Sequence, residues 1–224
     1  MTLTRLDVDL LNASLVQPSY TIVKETGHEE TVQVNYLSTV LLALLLIPSL
    51  RTRRAPGGQP GKLTIVNSGL SLTGKLPLNP KKPEQPTLQS FDDKEKFSST
   101  PWYKTSKTLM HLFLWKLSEY LSADEDVVNI VNPGYVKGTE SVNEMPRITA
   151  IMAKSFAAIT GRTVQVSAST YVDAVAVKGK DSRCCFVTSW KNPSVILLPG
   201  CIYDLIIMDL SDLRFFVTCP KARS

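Results

Sequence analysis

The chain is poor in residues that hold metals or cross-link folds. Among its 224 residues stand two histidines, His28 and His111, and four cysteines, Cys184, Cys185, Cys201 and Cys219. No C-x-x-C pair occurs, and neither histidine stands in ligand spacing with a cysteine, so no metal is implied. The cysteines, clustered late, read as reduced intracellular thiols. The start, MTLTRLDVDLLNAS, lacks the apolar core and cleavage site of a signal peptide, and a cytoplasmic protein is expected. The acceptor-like triplet Asn12-Ala13-Ser14 has no meaning without secretion.

A membrane-length apolar run is absent as well. Val40 to Ile47 (VLLALLLI) falls short of the ~20 residues a bilayer requires, and Gln33, Asn35, Ser38 and Pro48 interrupt its flanks. A helix buried in the core or at a subunit interface is expected instead. The net charge of +5 is spread along the chain, and its dense basic run, Arg51-Thr52-Arg53-Arg54, fits a helix C-terminus. No aromatic-basic interleaving accompanies the charge, which argues against nucleic acid. What remains, 43% hydrophobic and 20% charged, suits a globular domain with a sizeable core.

Strand-like and helix-like segments alternate. LDVDLLNAS reads as a short buried strand, Glu29 to Leu50 as a long helix that stops before RAPGGQPG, and KLTIVNSG as a second buried strand. Residues 75 to 101, rich in proline and charge, read as a long loop of the kind that is functional or mobile. A helix from Trp102 to about Leu121, the strand DVVNIVNPG, a helix around Ile148 to Thr160 and the segment VQVSASTYVDAVAVKG follow. Such alternation predicts a parallel α/β sheet with active groups at the carboxyl ends of its strands. Asn12, Ser68 and Pro133-Gly134 then fall on one rim, and Tyr103 starts the helix between the second and third strands.

Each of these residues also has a bland explanation. Asn12 could cap a strand, Ser68 a turn, and Pro133 a helix stop. The pair Tyr103 and Lys107, in PWYKTSK, stacks a phenol and an ammonium one helical turn apart, but a buried ring beside a snorkelling lysine gives the same spacing. Asn35, among Val34, Leu37 and Val40, needs a partner if buried.

Taken in order, these motifs resemble the short-chain dehydrogenase/reductase family, fungal members in particular, over roughly residues 6 to 188. LLNAS resembles that family's Asn-Asn-Ala-Gly strand end, with Ser14 replacing the glycine. Asn35 in VNYLST resembles the helix asparagine and Ser68 in TIVNSG the active-site serine, with Ser71 a second candidate. YKTSK resembles the Tyr-x-x-x-Lys pair, and NPGYVKGT the Pro-Gly turn, with Thr139 near the carboxamide-binding position.

The resemblance implies a Rossmann-like parallel sheet with flanking helices, an NADP or NAD cofactor, and interconversion of a ketone and a secondary alcohol, in fungal secondary metabolism. Tyr103 would exchange the proton, Ser68 would hold the substrate oxygen, and Asn35 would hold a relay water. A free phenol titrates near ~10, and Lys107 would favour its phenolate while binding the ribose hydroxyls. Asn12, Pro133, Gly134, Val136 and Thr139 would line the cofactor side. A homodimer through the two long helices is also implied.

One part of the pattern is missing. The sequence contains no strand, glycine-rich turn and helix of the kind that cradles a dinucleotide pyrophosphate. Its first strand resembles the fourth of the family, so the first strands are expected to be lacking. Pro56 to Lys62 (PGGQPGK) imitates a phosphate loop poorly, with Leu63 where a hydroxyl residue belongs, and reads as a turn. Residues 1–190 are therefore expected to form a partial oxidoreductase domain, and the apolar residues 191–224 a divergent tail. The alternative is a truncated, inactive relative that serves as an interaction protein or has no function.

Overall fold

The structure, a computed structural model, describes residues 6–53, 58–76, 88–121, 124, 126–137 and 161–189. Four strands, β1 (Val8–Leu11), β2 (Gly61–Val66), β3 (Asp126–Asn132) and β4 (Phe186–Thr188), form one sheet in chain order. All three pairings are parallel, with Val8 opposite Lys62, Gly61 opposite Asp126 and Ile130 opposite Phe186. Parallel neighbours require crossovers. The sheet with flanking helices is the Rossmann-like arrangement expected.

β2 and β3 are almost wholly buried, as their runs of Val, Ile and Leu require of inner parallel strands. Their side chains alternate between two faces. Leu63, Ile65, Val128 and Ile130 join the main core beneath the long helices, while Val66 and Val131 pack with Ala174 and Val187 on the opposite face. On that second face Thr64 Oγ1 donates to Asn129 Oδ1 at 2.8 Å, and Asn129 Nδ2 reaches Ser182 Oγ at 3.0 Å, so the buried amide is satisfied.

The first long helix is built in three parts: α1 (Glu30–Val32), a π-helical stretch (Gln33–Ser38) and α2 (Thr39–Arg53). Buried Tyr36, Val40, Ala43, Ile47 and Leu50 recur at helical spacing on its inner face, while Leu42 and Leu45 are exposed. By length and composition alone Glu30–Thr52 could cross a membrane, but its inner face is part of the protein core. Near its end Arg51 pairs with Asp126 at the start of β3, Nε to Oδ2 at 2.8 Å.

The structure differs from the sequence reading at β1 and around the start of the second long helix, and it assigns a segment that the reading left open. β1 is not a buried strand: Val8 and Leu10 are 43% and 39% exposed, because it is the edge of the sheet among the described residues. The second long helix, α3 (Ser99–Ser118), starts before Trp102, and the loop ahead of it holds two short 3₁₀ turns, Leu88–Asp92 and Lys94–Lys96. VQVSASTYV forms a helix, α4 (Val164–Val172), capped by the Thr163 hydroxyl. A π turn, Asp173–Val177, extends α4. The helix expected at Ile148 to Thr160 and the tail from residue 191 lie outside the described residues.

Candidate active site at the carboxyl rim of the sheet

The site grows from the place where β2 ends against α3. Beyond Val66 the chain passes Asn67 and Ser68 into a short 3₁₀ turn, Gly69–Thr73. Ser68 caps that turn, its hydroxyl accepting from Leu70 N at 3.2 Å, and Ser68 lies close enough to Tyr103 for its side chain to draw the phenol's pKa downward. A serine from a strand end and a tyrosine from the first turns of α3 thus meet. Their sequence separation made neither obvious alone.

Several polar contacts hold the serine turn to the helix. Asn67 Nδ2 donates to Lys107 O at 3.1 Å, Thr108 Oγ1 to Ser71 O at 2.5 Å, and Thr105 Oγ1 to Lys75 O at 2.8 Å. Gly74 closes the contact. A Cβ there would stand 2.1 Å from Thr108 Oγ1 and 2.7 Å from Lys104 O, so no other residue fits without displacing backbone. Among the described residues the hydroxyl of Ser71, the second candidate for the serine role, pairs with Ser68 O and His111 rather than with Tyr103.

Lys107 lies one turn below Tyr103, 3% exposed, its Nζ donating to Val66 O at 3.1 Å and standing 5.9 Å from the Tyr103 ring centroid. Burial lowers its pKa to about 8. Burial also raises the Tyr103 phenol, with the Ser68 side chain pulling in the opposite direction. The expected depression of the phenol by the lysine is therefore not what governs it in this structure. Desolvation of the ring hydroxyl outweighs the rest.

Asn35 sits in the π-helical stretch with its amide fully used. Oδ1 accepts from Ser14 Oγ at 3.0 Å and Leu15 N at 2.8 Å, while Nδ2 donates to Leu15 O at 2.8 Å and Ser106 Oγ at 3.1 Å. An amide offers two donors and two acceptor sites, so this side chain has no capacity left for a relay water. It acts instead as a tie. Ser106 Oγ passes the connection on to Tyr103 O at 2.8 Å, which links the segment after β1 to the tyrosine helix.

Asn12 is exposed just beyond β1, on the same rim. After β3, Gly134 adopts φ +79, a conformation that suits glycine, and Gly134 N is held by Asn132 Oδ1 at 3.0 Å. Val136 forms a bridge with Arg162, whose guanidinium reaches Pro133 O at 3.3 Å and Ser189 Oγ at 2.8 Å. Thr139 lies outside the described residues. The structure thus brings Ser68, Tyr103 and Lys107 together, with Asn12, Pro133, Gly134 and Val136 following the strand ends. Among the described residues no cluster of three or more metal-ligating side chains occurs. The reading from sequence missed His111 and Arg162, of which the first carried a usable signal in its spacing of four from Lys107.

No protein-family model matches the chain. The short chain dehydrogenase/reductase mfmJ of Annulohypoxylon moriforme is 48% identical over 189 residues, covering 84% of this chain and 54% of that protein. The short chain dehydrogenase virL of Hypocrea virens is 38% identical over 193 residues, with the same shares, 84% and 54%. The chain therefore spans about half the length of these curated relatives. Among solved structures, the NADH-dependent reductase A1-R' complexed with NAD superimposes with a TM-score of 0.54 at 16% identity, covering 84% of this chain and 65% of that one. The Pseudomonas aeruginosa RhlG/NADP complex gives 0.54 at 18% identity, with 83% and 65% covered. These likenesses establish the fold.

Proposed function

From the chain's homology to fungal short-chain dehydrogenases/reductases, we propose that it carries the catalytic half of an NAD(P)-dependent oxidoreductase. The enzyme interconverts a ketone and a secondary alcohol of a small-molecule substrate. The observation that carries this reading is the buried Lys107 ammonium, 5.9 Å from the Tyr103 ring and hydrogen-bonded to Val66 O at the strand end that leads into Ser68, with Ser68 close enough to Tyr103 to draw the phenol's pKa downward.

The residues divide the work. Ser68 holds the substrate oxygen by its hydroxyl, and Tyr103 gives that oxygen its proton when a carbonyl is reduced. Burial favours this direction, since a phenol raised above its ordinary value stays protonated and ready to donate. The bound nicotinamide would supply or accept the hydride. Of the three N–H bonds on Lys107, one goes to Val66 O, which leaves two, among the described residues, for the hydroxyls of a nucleotide ribose. A buried cation whose hydrogen-bond partner among the described residues is a neutral carbonyl suits such a ligand. Asn12, Pro133, Gly134, Val136 and Thr139 would line the cofactor side, and Asn35 keeps the loop after β1 in register with α3.

The whole enzyme is proposed to be cytoplasmic, to act in fungal secondary metabolism and to pair as a homodimer through α2 and α3, where Leu42 and Leu45 remain exposed. The test is a fusion of this chain to the part of the Annulohypoxylon relative that it does not span, assayed with ketones and NADPH or NADH. Cofactor oxidation that depends on the ketone supports the proposal. A folded, cofactor-binding fusion without turnover points to the interaction-protein alternative.

A further inference from the structure

Tyr103, Lys107 and His111 follow one another at intervals of four, which sets them in line on one face of α3. The proposed reaction uses the first two. His111 Nε2 stands 2.7 Å from Ser71 Oγ, and Ser71 Oγ in turn donates to Ser68 O at 2.6 Å. A hydroxyl has one hydrogen. With that hydrogen on Ser68 O, the Ser71 oxygen is left to accept, and His111 must present an N–H at Nε2.

The consequence reaches the reacting pair. Ser68 O also accepts from Ser71 N at 3.0 Å, and Ser68 N donates to Asn67 Oδ1 at 2.9 Å, so the Ser68 peptide is fixed on both sides. The His111 ring is itself held edge-on against Phe186 of β4, with centroids 4.8 Å apart. Burial lowers the His111 pKa to about 4, which keeps the ring neutral across the working range.

We propose that His111 is a positioning residue, which acts through Ser71 to hold the Ser68 turn so that the Ser68 hydroxyl stays beside the Tyr103 phenol. This rests on the reading of Ser68 and Tyr103 as the reacting pair, and it gives the lone histidine of α3 a role that metal spacing could not.

The test follows the Tyr103 hydroxyl in the intact chain by tyrosine ¹³Cζ NMR at neutral pH, with the resonance assigned through Tyr103→Phe. Ser68→Ala should speed exchange of that hydroxyl proton about two- to tenfold, the weight of one hydrogen bond. His111→Leu should produce most of the same change, His111→Gln, whose amide N–H can reach Ser71, should restore the slow exchange, and adding Ser68→Ala to His111→Leu should change nothing further. If Ser68→Ala leaves exchange unmoved, the reacting pair itself is misassigned. If Ser68→Ala acts and His111→Leu does not, only the positioning role falls. Should His111→Leu fail to fold, the wild-type ring still decides: ¹⁵N shifts of an Nε2–H tautomer support the proposal, and a hydrogen on Nδ1 overturns it.

Discussion

At the seam between α3 and the Ser68 turn, Thr105, Lys107, Thr108 and His111 each meet a partner across the gap, whereas along β1 Val8 and Leu10 lie largely open. Both regions belong to one sheet. The seam is closed by short polar contacts and by the direct approach of Gly74, all supplied by residues 67 to 111. β1 pairs on one side with β2 and has no second strand beside it among the described residues. An apolar edge of that kind invites pairing with another chain or segment. The contacts that hold the candidate site thus come from one stretch of the chain, while β1 is an open edge among the described residues.

Substitutions should separate the two regions sharply. The largest effect is expected at Gly74→Ala, where a methyl meets Thr108 Oγ1 and the Lys104 carbonyl; overpacking against backbone should cost about 3 kcal/mol. Urea denaturation checks this. A loss below about 1 kcal/mol would mean that the seam yields easily.

Lys107→Met should change stability in the other direction. Lys107 titrates at about 8 in the fold against 10.5 for the free side chain, so below pH 8 the folded state bears the full cost of a buried cation. Removing it should stabilise the fold at pH 7 by roughly 2 kcal/mol, a desolvation gain of about 3 reduced by about 1 for the lost bond to Val66 O. The advantage should shrink as pH rises from 8 to 10.5, where the unfolded wild type also loses its proton. Paired urea titrations at pH 7 and 10 measure the difference.

His111 offers the matching acid test. Its pKa falls from 6.5 to about 4 on folding, so the unfolded chain takes up a proton that the folded chain refuses, and stability should drop as pH falls through that window. In His111→Gln that component of the drop should be absent.

The smallest effect belongs to the open region. Val8→Thr and Leu10→Thr should each alter stability by no more than about 0.5 kcal/mol, since little burial is lost. They should instead reduce self-association in light scattering. A large loss of stability from either would mean that the β1 edge is covered.

The candidate site could be proposed from sequence because its strongest element is a helical interval. Tyr103 and Lys107 are brought together by helix geometry alone, and the order Asn12, Ser68, Pro133-Gly134 follows from strand ends in a parallel sheet. What stayed hidden depended on neighbours. The apolar residues of β1 predict burial, but no local pattern tells whether a second strand lies alongside. VQVSASTYV is rich in β-branched residues that favour strands, and tertiary context makes it helical. Asn35 was legible as a buried polar group needing partners, yet only the fold shows that Ser14, Leu15 and Ser106 use all of its amide. His111, read against metal spacing, carried its meaning in its distance from Lys107.

The most direct test of the central claim, that Tyr103 is the proton carrier of a Ser68-Tyr103-Lys107 site, is steady-state turnover by the fusion with the Annulohypoxylon half, with and without Tyr103→Phe. That substitution keeps the ring and removes only the hydroxyl. Loss of a general acid or base typically lowers the rate by ~10²-fold or more, and a fall of at least that size with cofactor binding retained is the predicted result. An active fusion in which Tyr103→Phe keeps most of its rate would contradict the account.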